Sequence, residues 1–148
     1  MANLTCEDLM TRHPRECAPD DSLLDCIAIM KELNVGFVPV CERGTGILLG
    51  VITDRDISMS LADDQKPSGR KARDVMTKAL VTCRPEHDIF EAAHAMEDAK
   101  VRRVAVVDSD RKLVGVIALA DIARRAVKRK DLERELPTIV EMTSQPSA

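Results

Sequence analysis

Apolar residues recur along the chain in two patterns, and each pattern predicts a different element. In two stretches they repeat every three or four residues, the spacing that lines one face of an α-helix. These helical positions are Leu23, Ile27 and Met30 in the first half of the chain, and Ile89, Ala93 and Met96 in the second. The second stretch opens with acidic residues, which suit the positive end of a helix.

Short runs rich in β-branched residues follow each predicted helix. The run VGFVPV (35–40) follows the first helix, and VRRVAVV (101–107) follows the second. A turn and a further apolar run come next, ILLGVIT (47–53) in one half and LVGVIA (113–118) in the other. Each half then continues into another helical pattern, DISMSLA or DIARRAV. The predicted order in each half is strand, helix, strand, strand, helix (βαββα), which is an α+β architecture.

The two halves repeat one another at nearly constant spacing. The tetrapeptide from Asp8 to Thr11, DLMT, returns 66 residues later as DVMT, and Cys17 returns as Cys83 at the same spacing. The phrase GVITDRDI, which starts at Gly50, returns as GVIALADI 65 residues later, so the second copy has lost one residue, most simply in the turn. Self-similarity at a fixed period marks a duplicated unit.

The repeats set the predicted boundaries. The first repeat spans residues 4–62, a polar linker with Pro and Gly spans 63–71, the second repeat spans 72–130, and a C-terminal tail spans 131–148. One repeat alone is too small for a comfortable core of its own. We therefore expect two pseudo-symmetric repeats that pack through their sheets into one module.

Composition narrows the choice of function. The 148 residues carry a formal net charge of −3, with two Phe and neither Trp nor Tyr. A nucleic-acid surface normally needs positive charge and aromatic stacking platforms, so no nucleic-acid partner is expected. The longest apolar runs are far shorter than a membrane span, and the N-terminus lacks a signal-peptide core. We therefore expect a cytoplasmic protein with no membrane partner.

The reactive side chains do not form a recognisable metal or catalytic motif. The five cysteines are odd in number and lack CxxC spacing, so we expect them to be reduced and buried as small apolar residues. The three histidines match no metal-site spacing. Nothing combines a nucleophile with an oriented base, so we predict no catalytic residue, no metal site and no enzyme activity.

The strand-to-helix junction in GVITDRDI has two interpretations. Thr53, followed three residues later by Asp56, has the spacing of a capping box, in which both side chains satisfy backbone N–H groups. The same geometry suits a ligand, because a carboxylate can accept hydrogen bonds from two neighbouring ribose hydroxyls and a helix N-terminus attracts phosphate. Arg55 adds a positive charge able to bind phosphate oxygens. The residues alone leave both interpretations open.

The doubled βαββα order, the DLMT and DVMT segments and the junction that starts at Gly50 resemble a tandem pair of CBS domains, the regulatory unit also called a Bateman module. The resemblance covers about residues 4–130. In that family the repeats pack through their sheets and leave two clefts, which bind adenosine compounds. The resemblance implies an adenine nucleotide as ligand, with AMP the leading candidate and ADP, ATP, NAD and S-adenosylmethionine as alternatives, and no metal.

The resemblance also implies how the first cleft is lined. The Thr and Asp of one repeat hold the ribose, while strands of the other repeat line the adenine and approach the phosphates. This cleft would unite Thr53, Arg55, Asp56, Leu80, Val81, Val101, Arg102 and Arg103. Backbone groups of Val81 and Val101 would read the adenine edge. Successive strand residues point to opposite faces, so only one of the two adjacent arginines is expected to reach phosphate. An ordinary pair of charges at a strand end is the alternative.

The second cleft that the resemblance implies is weaker. It would unite Arg15, Val35, Gly36 and Asp121. Ala118 stands there in place of the threonine and Ala120 in place of the arginine, so the ribose carboxylate is kept while most phosphate-directed charge is lost. We expect the cleft at Thr53 and Asp56 to take the phosphorylated ligand, and the other cleft to be empty or to bind a less charged adenosine.

These features predict a stand-alone, regulatory signal-transduction module. The family commonly pairs through its helices, so we expect a homodimer that senses a small adenosine ligand. With no catalytic, channel or transporter domain expected beside it, the module would transmit its bound state to an unknown target protein in trans. The alternative is a purely structural dimerisation module whose clefts are empty.

Overall fold

The computed structural model describes residues 3–63 and 66–128, and its mixture of helices and strands confirms the α+β class. The described residues form two compact units. The first unit comprises residues 14–63, 66–80 and 110–113, and the second unit comprises residues 3–13, 81–109 and 114–128. The predicted tail, residues 131–148, lies outside the described residues.

The elements come in the predicted order, with a short helix added at the start of each repeat. In chain order they are α1 (Cys6–Leu9), β1 (Thr11–Arg12), α2 (Leu23–Leu33), β2 (Phe37–Cys41), β3 (Leu48–Thr53), α3 (Asp54–Ser60), α4 (Ala72–Val75), β4 (Thr82–Cys83), α5 (Ile89–Ala99), β5 (Arg103–Val107), β6 (Leu113–Ala118) and α6 (Leu119–Lys128). Two single-turn 3-10 helices, Leu61–Asp63 and Pro67–Gly69, lie between α3 and α4.

The sheet of the first unit is built on the antiparallel pair β2 and β3. Single bridging pairs extend it on both sides, since Cys17 pairs in parallel with Val40 and Thr77 pairs antiparallel with Val51. The opening strand that the sequence predicts is therefore reduced in this unit to one bridging residue. Helix α2 connects this residue to β2, as a parallel pair requires a long connection.

The second unit shows the same order with better-formed strands. Its sheet has the order β1-β6-β5-β4. Strand β4 runs parallel to β5, to which α5 connects it, and β1 runs antiparallel to β6 with Thr11 opposite Val116. The duplicated sequence therefore produces a duplicated pattern of strand pairing.

The DLMT and DVMT segments complete sheets built by the other half of the sequence. Thr11 of DLMT stands at the start of the chain, yet it pairs with β6 in the second unit. Thr77 of DVMT stands in the second half of the chain, yet it pairs with β3 in the first unit. The compact units thus exchange these segments relative to the sequence repeats.

Close packing around Gly50 and Gly115 explains why both junction sequences begin with glycine. A Cβ added at Gly50 would lie 2.8 Å from Sδ of Met76 and 2.9 Å from the carbonyl oxygen of Thr77. At Gly115 it would lie 3.0 Å from the carbonyl oxygen of Thr11. Glycine is the residue that permits such a close backbone approach within a strand, so the DLMT and DVMT segments can pair there.

Helices α2 and α5 end in the same way, and this delays the next strand in each unit. Asn34 and Lys100 adopt the left-handed conformation, with φ of 53° and 57°. The N–H of the next residue, Val35 or Val101, donates back to a carbonyl in the last turn of its helix at 3.0 Å. Because these N–H groups close the helices, β2 and β5 each begin two residues later than the apolar runs predict.

Each unit has an apolar core of its own. In the first unit the buried cluster contains Cys17, Leu23, Cys26, Ile29, Val38, Val40, Ile52 and Ala72. In the second unit it contains Cys6, Cys83, Ile89, Ala92, Ala93, Met96, Val104, Val106, Ile117, Leu119, Ile122 and Ala126. Each cluster thus draws on helices and strands of its own unit. Within the described ranges, none of the helices combines the length and the apolar character needed to cross a membrane.

Candidate functional site

The junction at the end of β3 places Thr53 and Asp56 in a capping box. Thr53 is the N-cap of α3, with an extended backbone. Its backbone N–H and its hydroxyl both donate to Oδ2 of Asp56, at 2.9 and 3.0 Å. The N–H of Asp56 donates to the hydroxyl oxygen of Thr53 at 3.2 Å. The structure therefore forms the capping arrangement that the sequence offered as one of two interpretations.

Thr77 is a residue at this junction that the sequence did not single out. Its hydroxyl donates to Oδ1 of Asp56 at 3.0 Å. The backbone of Thr77 is held there because it exchanges two hydrogen bonds with Val51, at 2.8 and 3.1 Å. One signal was available, since a threonine closes both DLMT and DVMT. That repeat does not reveal the partner, because the contact joins residues from different elements.

The carboxylate of Asp56 is engaged but has capacity left. From the described residues it accepts two hydrogen bonds on Oδ2 and one on Oδ1. A carboxylate offers about four acceptor positions, so one remains on Oδ1. A ligand hydroxyl can take that position, and a second hydroxyl can be accepted if Thr53 or Thr77 turns its own hydroxyl away. Asp56 is half-buried and Thr77 is exposed, which gives solvent access to this edge.

Charged groups and one glycine surround the junction within the first unit. Arg55 is exposed, and its N–H donates to Oδ1 of Asp54 at 2.9 Å. The N–H of Asp54 donates to the carbonyl of Gly36 at 3.1 Å, and a Cβ at Gly36 would lie 2.9 Å from Oδ2 of Asp54. Gly36, predicted for the second cleft, thus lies beside the junction predicted for the first. Leu80 is half-buried at the end of this unit.

The other residues predicted for the first cleft belong to the second unit. Val81 is exposed before β4, and Arg102 and Arg103 are both exposed at the start of β5. The carbonyl of Arg102 accepts the N–H of Leu119 at 2.9 Å, the counterpart of the bond between Asp54 and Gly36. The N–H of Val101, one of the backbone groups expected to read an adenine edge, closes α5.

The residues predicted for the second cleft have different local partners. Arg15 is exposed and forms an ion pair with Glu32 at 3.2 Å. The N–H of Val35 closes α2. Asp121, in the first turn of α6, pairs with Arg124 one turn further along. The carboxylate that corresponds to Asp56 is therefore engaged with a cation of its own helix.

The other reactive side chain types in the described residues are cysteine and histidine. All five cysteines are buried as free thiols, as the sequence predicted. His87 accepts the N–H of Arg84 at 3.1 Å and so shapes the loop after β4. Across the described ranges, no group of three or more His, Cys, Asp or Glu side chains is arranged to hold a metal ion.

The arrangement of two βαββα units defines the class of protein. A family model described as the CBS domain matches the chain twice, at residues 6–63 and 72–128. The chain therefore belongs to the CBS domain family, and the predicted tandem pair of repeats is confirmed.

Particular relatives refine this placement. The chain is 32% identical over 117 residues to the CBS domain-containing protein YhcV of Bacillus subtilis, a match that covers 79% of this chain and 81% of the relative. Among solved structures, it is similar to the CBS domain pair of protein MJ0100 in complex with 5-methylthioadenosine and S-adenosyl-L-methionine. That likeness has a TM-score of 0.78 at 25% identity and covers 87% of this chain and 100% of the other. It is also similar to Arabidopsis thaliana CBSX2 in complex with AMP, with a TM-score of 0.73, 28% identity and coverage of 84% and 96%.

Proposed function

We propose that this protein is a regulatory module that binds an adenine nucleotide and transmits its bound state to another protein. The observation that carries the proposal is the carboxylate of Asp56, which is fixed by Thr53 and Thr77 and keeps an acceptor position on Oδ1. A ribose presents two adjacent hydroxyls, which such a carboxylate can accept. In this proposal the capping bonds orient the carboxylate before the ligand arrives.

The relatives support an adenosine ligand. The MJ0100 pair is bound to methylthioadenosine and S-adenosylmethionine, and CBSX2 is bound to AMP. These compounds share the adenosine group and differ in the substituent at the 5′ carbon of the ribose. A carboxylate that recognises the ribose does not distinguish them, so the choice of ligand depends on the charge around the 5′ group.

The local charge favours a phosphorylated ligand. In our proposal the site combines Thr53 and Asp56 with the guanidinium of Arg55, which is exposed. One guanidinium group can donate two parallel hydrogen bonds to two phosphate oxygens, whereas its positive charge would repel the sulfonium of S-adenosylmethionine. We therefore propose AMP first, followed by ADP, ATP and NAD.

A panel of ligands tests the proposal. AMP, ADP, ATP, NAD and S-adenosylmethionine are each added to the purified protein, and the thermal midpoint and the heat of binding are measured. A ligand at 100 times its Kd should stabilise the protein by about 2.7 kcal/mol. If none of these compounds raises the midpoint or gives a heat of binding, the sensing function is wrong.

A matched pair of variants tests the site. Asp56→Asn keeps a side-chain oxygen for the cap but removes the charge that attracts hydroxyl donors, so it should weaken AMP binding at least tenfold. Asp121→Asn makes the same change at the corresponding residue of the other repeat, and it should leave AMP binding within twofold. Equal losses in both variants, or none in either, would contradict the assignment of the phosphorylated ligand to Asp56.

Assembly and signalling are further parts of the same proposal. We propose that the module acts as a homodimer and that its target is bound in trans, since adenosine binding would shift a conformational equilibrium that the target reads. Sedimentation with and without AMP measures the first part. A single monomeric species under both conditions would contradict it.

One observation favours a second candidate function, a structural dimerisation module. The Asp56 carboxylate already serves its own helix, and Asp121 already pairs with Arg124. In this candidate function the two carboxylates serve only their own helices, and no ligand is needed. The candidate predicts a dimer whose midpoint is unchanged by every adenosine compound, so the ligand panel separates the two functions.

A further inference from the structure

Each compact unit buries a pair of cysteines in its own apolar cluster. In the first unit, Sγ of Cys26 lies 3.1 Å from Sγ of Cys17. In the second unit, Cys6 and Cys83 are buried in the same apolar cluster, and the thiol of each affects the pKa of the other. All four side chains are at most 3% exposed. Two neighbouring cysteines in a core differ from isolated buried thiols, because they can form a disulfide with one another without a thiol from another molecule.

In each pair one cysteine occupies the same position of the repeat, whereas the second cysteine comes from a different helix. Cys17 and Cys83 occupy matching positions at the opening strands, 66 residues apart in the sequence. In the first unit the second thiol comes from α2, which contributes Cys26. In the second unit it comes from α1, which contributes Cys6. The same strand position is thus approached from two different elements.

In each unit, an alanine stands at the position that corresponds to the second cysteine of the other unit. Ala92 lies 66 residues after Cys26, and Ala72 lies 66 residues after Cys6. Both alanines are buried in the same cluster as the thiol pair of their unit, with exposures of 1% and 0%. Each core therefore has three corresponding positions around its opening strand. Cysteine stands at two of them and alanine at the third.

We infer that each unit carries a latent disulfide, Cys17–Cys26 in the first unit and Cys6–Cys83 in the second, which forms when the protein meets hydrogen peroxide. The 3.1 Å contact between the sulfur atoms of Cys17 and Cys26 leaves only a small approach to make a bond. Cys6 and Cys83 share one buried cluster, which keeps the second pair close within its core. The fifth cysteine, Cys41, lies beside Cys17 in the sheet, where its backbone N–H donates to the carbonyl of Cys17 at 2.9 Å. Burial and a hydrogen bond with the side chain of Glu16 raise the pKa of the Cys41 thiol, so we expect it to stay reduced.

The chemistry balances with peroxide as the only co-reactant. One thiolate of the pair attacks a peroxide oxygen, the O–O bond breaks, and a sulfenic acid and hydroxide form. The second thiol loses its proton and attacks the sulfenic sulfur, the S–O bond breaks, and hydroxide leaves. The two released protons convert both hydroxides to water. Overall two thiols give up two electrons, and one peroxide becomes two water molecules.

The hydrogen bond within the first pair favours one thiol as the attacking group. This bond raises the pKa of the Cys17 thiol, and burial raises it further. The same bond lowers the pKa of Cys26 against the opposing effect of burial. The second unit behaves alike, with the pKa of Cys83 raised and that of Cys6 lowered by the hydrogen bond between them. Cys26 and Cys6 are therefore the thiols that ionise first.

The two bridges would constrain the chain differently. Cys17 and Cys26 are close in sequence, so their bridge fixes only the start of α2. Cys6 and Cys83 are far apart, so their bridge would tie the exchanged N-terminal segment covalently into the second unit. In the chain-entropy account a bridge over a longer loop restricts the unfolded chain more. The Cys6–Cys83 bridge should therefore stabilise the protein more than the other.

Peptide mapping of the full chain tests the inference. Reduced protein is treated with hydrogen peroxide under native conditions, its remaining thiols are blocked with N-ethylmaleimide in denaturant, and it is digested without reductant. We expect alkylation to fall from five cysteines to Cys41 alone, with bridged peptides Cys17–Cys26 and Cys6–Cys83. Dithiothreitol should restore five alkylated thiols, and the bridged protein should melt at a higher temperature than the reduced protein.

Two variants serve as controls, and each replaces a cysteine by the alanine that stands at the corresponding position of the other repeat. Cys26→Ala copies Ala92 and should abolish only the first bridge, whereas Cys6→Ala copies Ala72 and should abolish only the second. Bridges that include Cys41, bridges between two chains, or bridges that appear only in denaturant would overturn the inference. So would five alkylated thiols after peroxide treatment. Mapping of the unmodified protein decides the question even if a variant fails to fold.

Discussion

The two strand-to-helix junctions, GVITDRDI and GVIALADI, use the same backbone for different chemistry. Both begin at a glycine against which a DVMT or DLMT segment packs, and both lead from a strand directly into a helix. At the first junction, Asp56 is held by Thr53 and by Thr77. At the second, Ala118 supplies no side-chain acceptor, and Asp121 pairs with Arg124.

The comparison of the two junctions distinguishes the residues that both repeats keep, the glycines, from the polar residues that differ between them. The glycines cannot vary without displacing a neighbouring backbone, so the scaffold is the same in both units. The polar residues after them contact side chains, and these can change without altering the sheet. Threonine and its hydroxyl are therefore tied to the chemistry of one site, whereas glycine is tied to the fold of both.

The largest expected change in the free energy of unfolding comes from placing a side chain at Gly50 or at Gly115. Gly50→Ala should destabilise the protein by about 1–3 kcal/mol, because the new Cβ meets a backbone carbonyl that cannot move freely. Gly115→Ala should cost a similar amount. Gly69→Ala is the matched control, since nothing lies within 4 Å of its added Cβ. Urea unfolding of the three variants measures the difference, and equal stabilities would contradict the account of the close approach.

The next largest effect should distinguish the two carboxylates. Asp56→Ala removes three hydrogen bonds at a half-buried helix start, so it should cost about 1–2 kcal/mol of unfolding free energy. Asp121→Ala removes an ion pair with an exposed arginine, which contributes at most about 0.5 kcal/mol. Denaturant midpoints without ligand measure both. A larger loss at Asp121 would reverse the comparison.

Exchanging the residues that precede the helices should give a smaller effect of opposite sign at the two junctions. Thr53→Ala removes the cap acceptor of α3 and should cost about 1 kcal/mol. Ala118→Thr supplies a hydroxyl three residues before Asp121 and should stabilise the protein by about 0.5 kcal/mol. Thermal unfolding of both variants checks the signs. Destabilisation by Ala118→Thr would show that the second junction cannot adopt the capping geometry of the first.

Much of the fold was predictable because it depends on local patterns. Helical spacing around Leu23 and Ile89, the β-branched runs and the repeat itself give the elements and their order. The capping spacing of Thr53 and Asp56 also describes a local contact, and the structure contains it.

The features that escaped prediction are contacts between distant segments. Thr77 reaches Asp56 only because a sheet brings DVMT beside β3, and no periodicity encodes that pairing. Cys17 and Cys26 are close in sequence, but helical spacing does not predict their contact either, because Cys17 lies in the segment before α2 that folds against the buried face of this helix. The resemblance assigned backbone groups of Val101, its N–H among them, to the ligand. The left-handed turn at Lys100 instead gives that N–H to α5.

The smallest expected effect is a pH dependence at Asp8, in the DLMT segment. The backbone N–H of Thr5 donates to its carboxylate, and this bond holds the pKa of Asp8 below its usual value. A carboxyl whose folded pKa is depressed stabilises the protein above its unfolded pKa, near 3.9 in model peptides, and loses that contribution as the pH falls through the folded value. Because the group is exposed, solvent screening limits the contribution to about 0.3 kcal/mol. Asp8→Asn should therefore narrow the stability difference between neutral pH and pH of about 3 by that amount, as measured by urea unfolding at both values. An identical pH dependence in the variant and the parent protein would show that the capped carboxylate does not contribute.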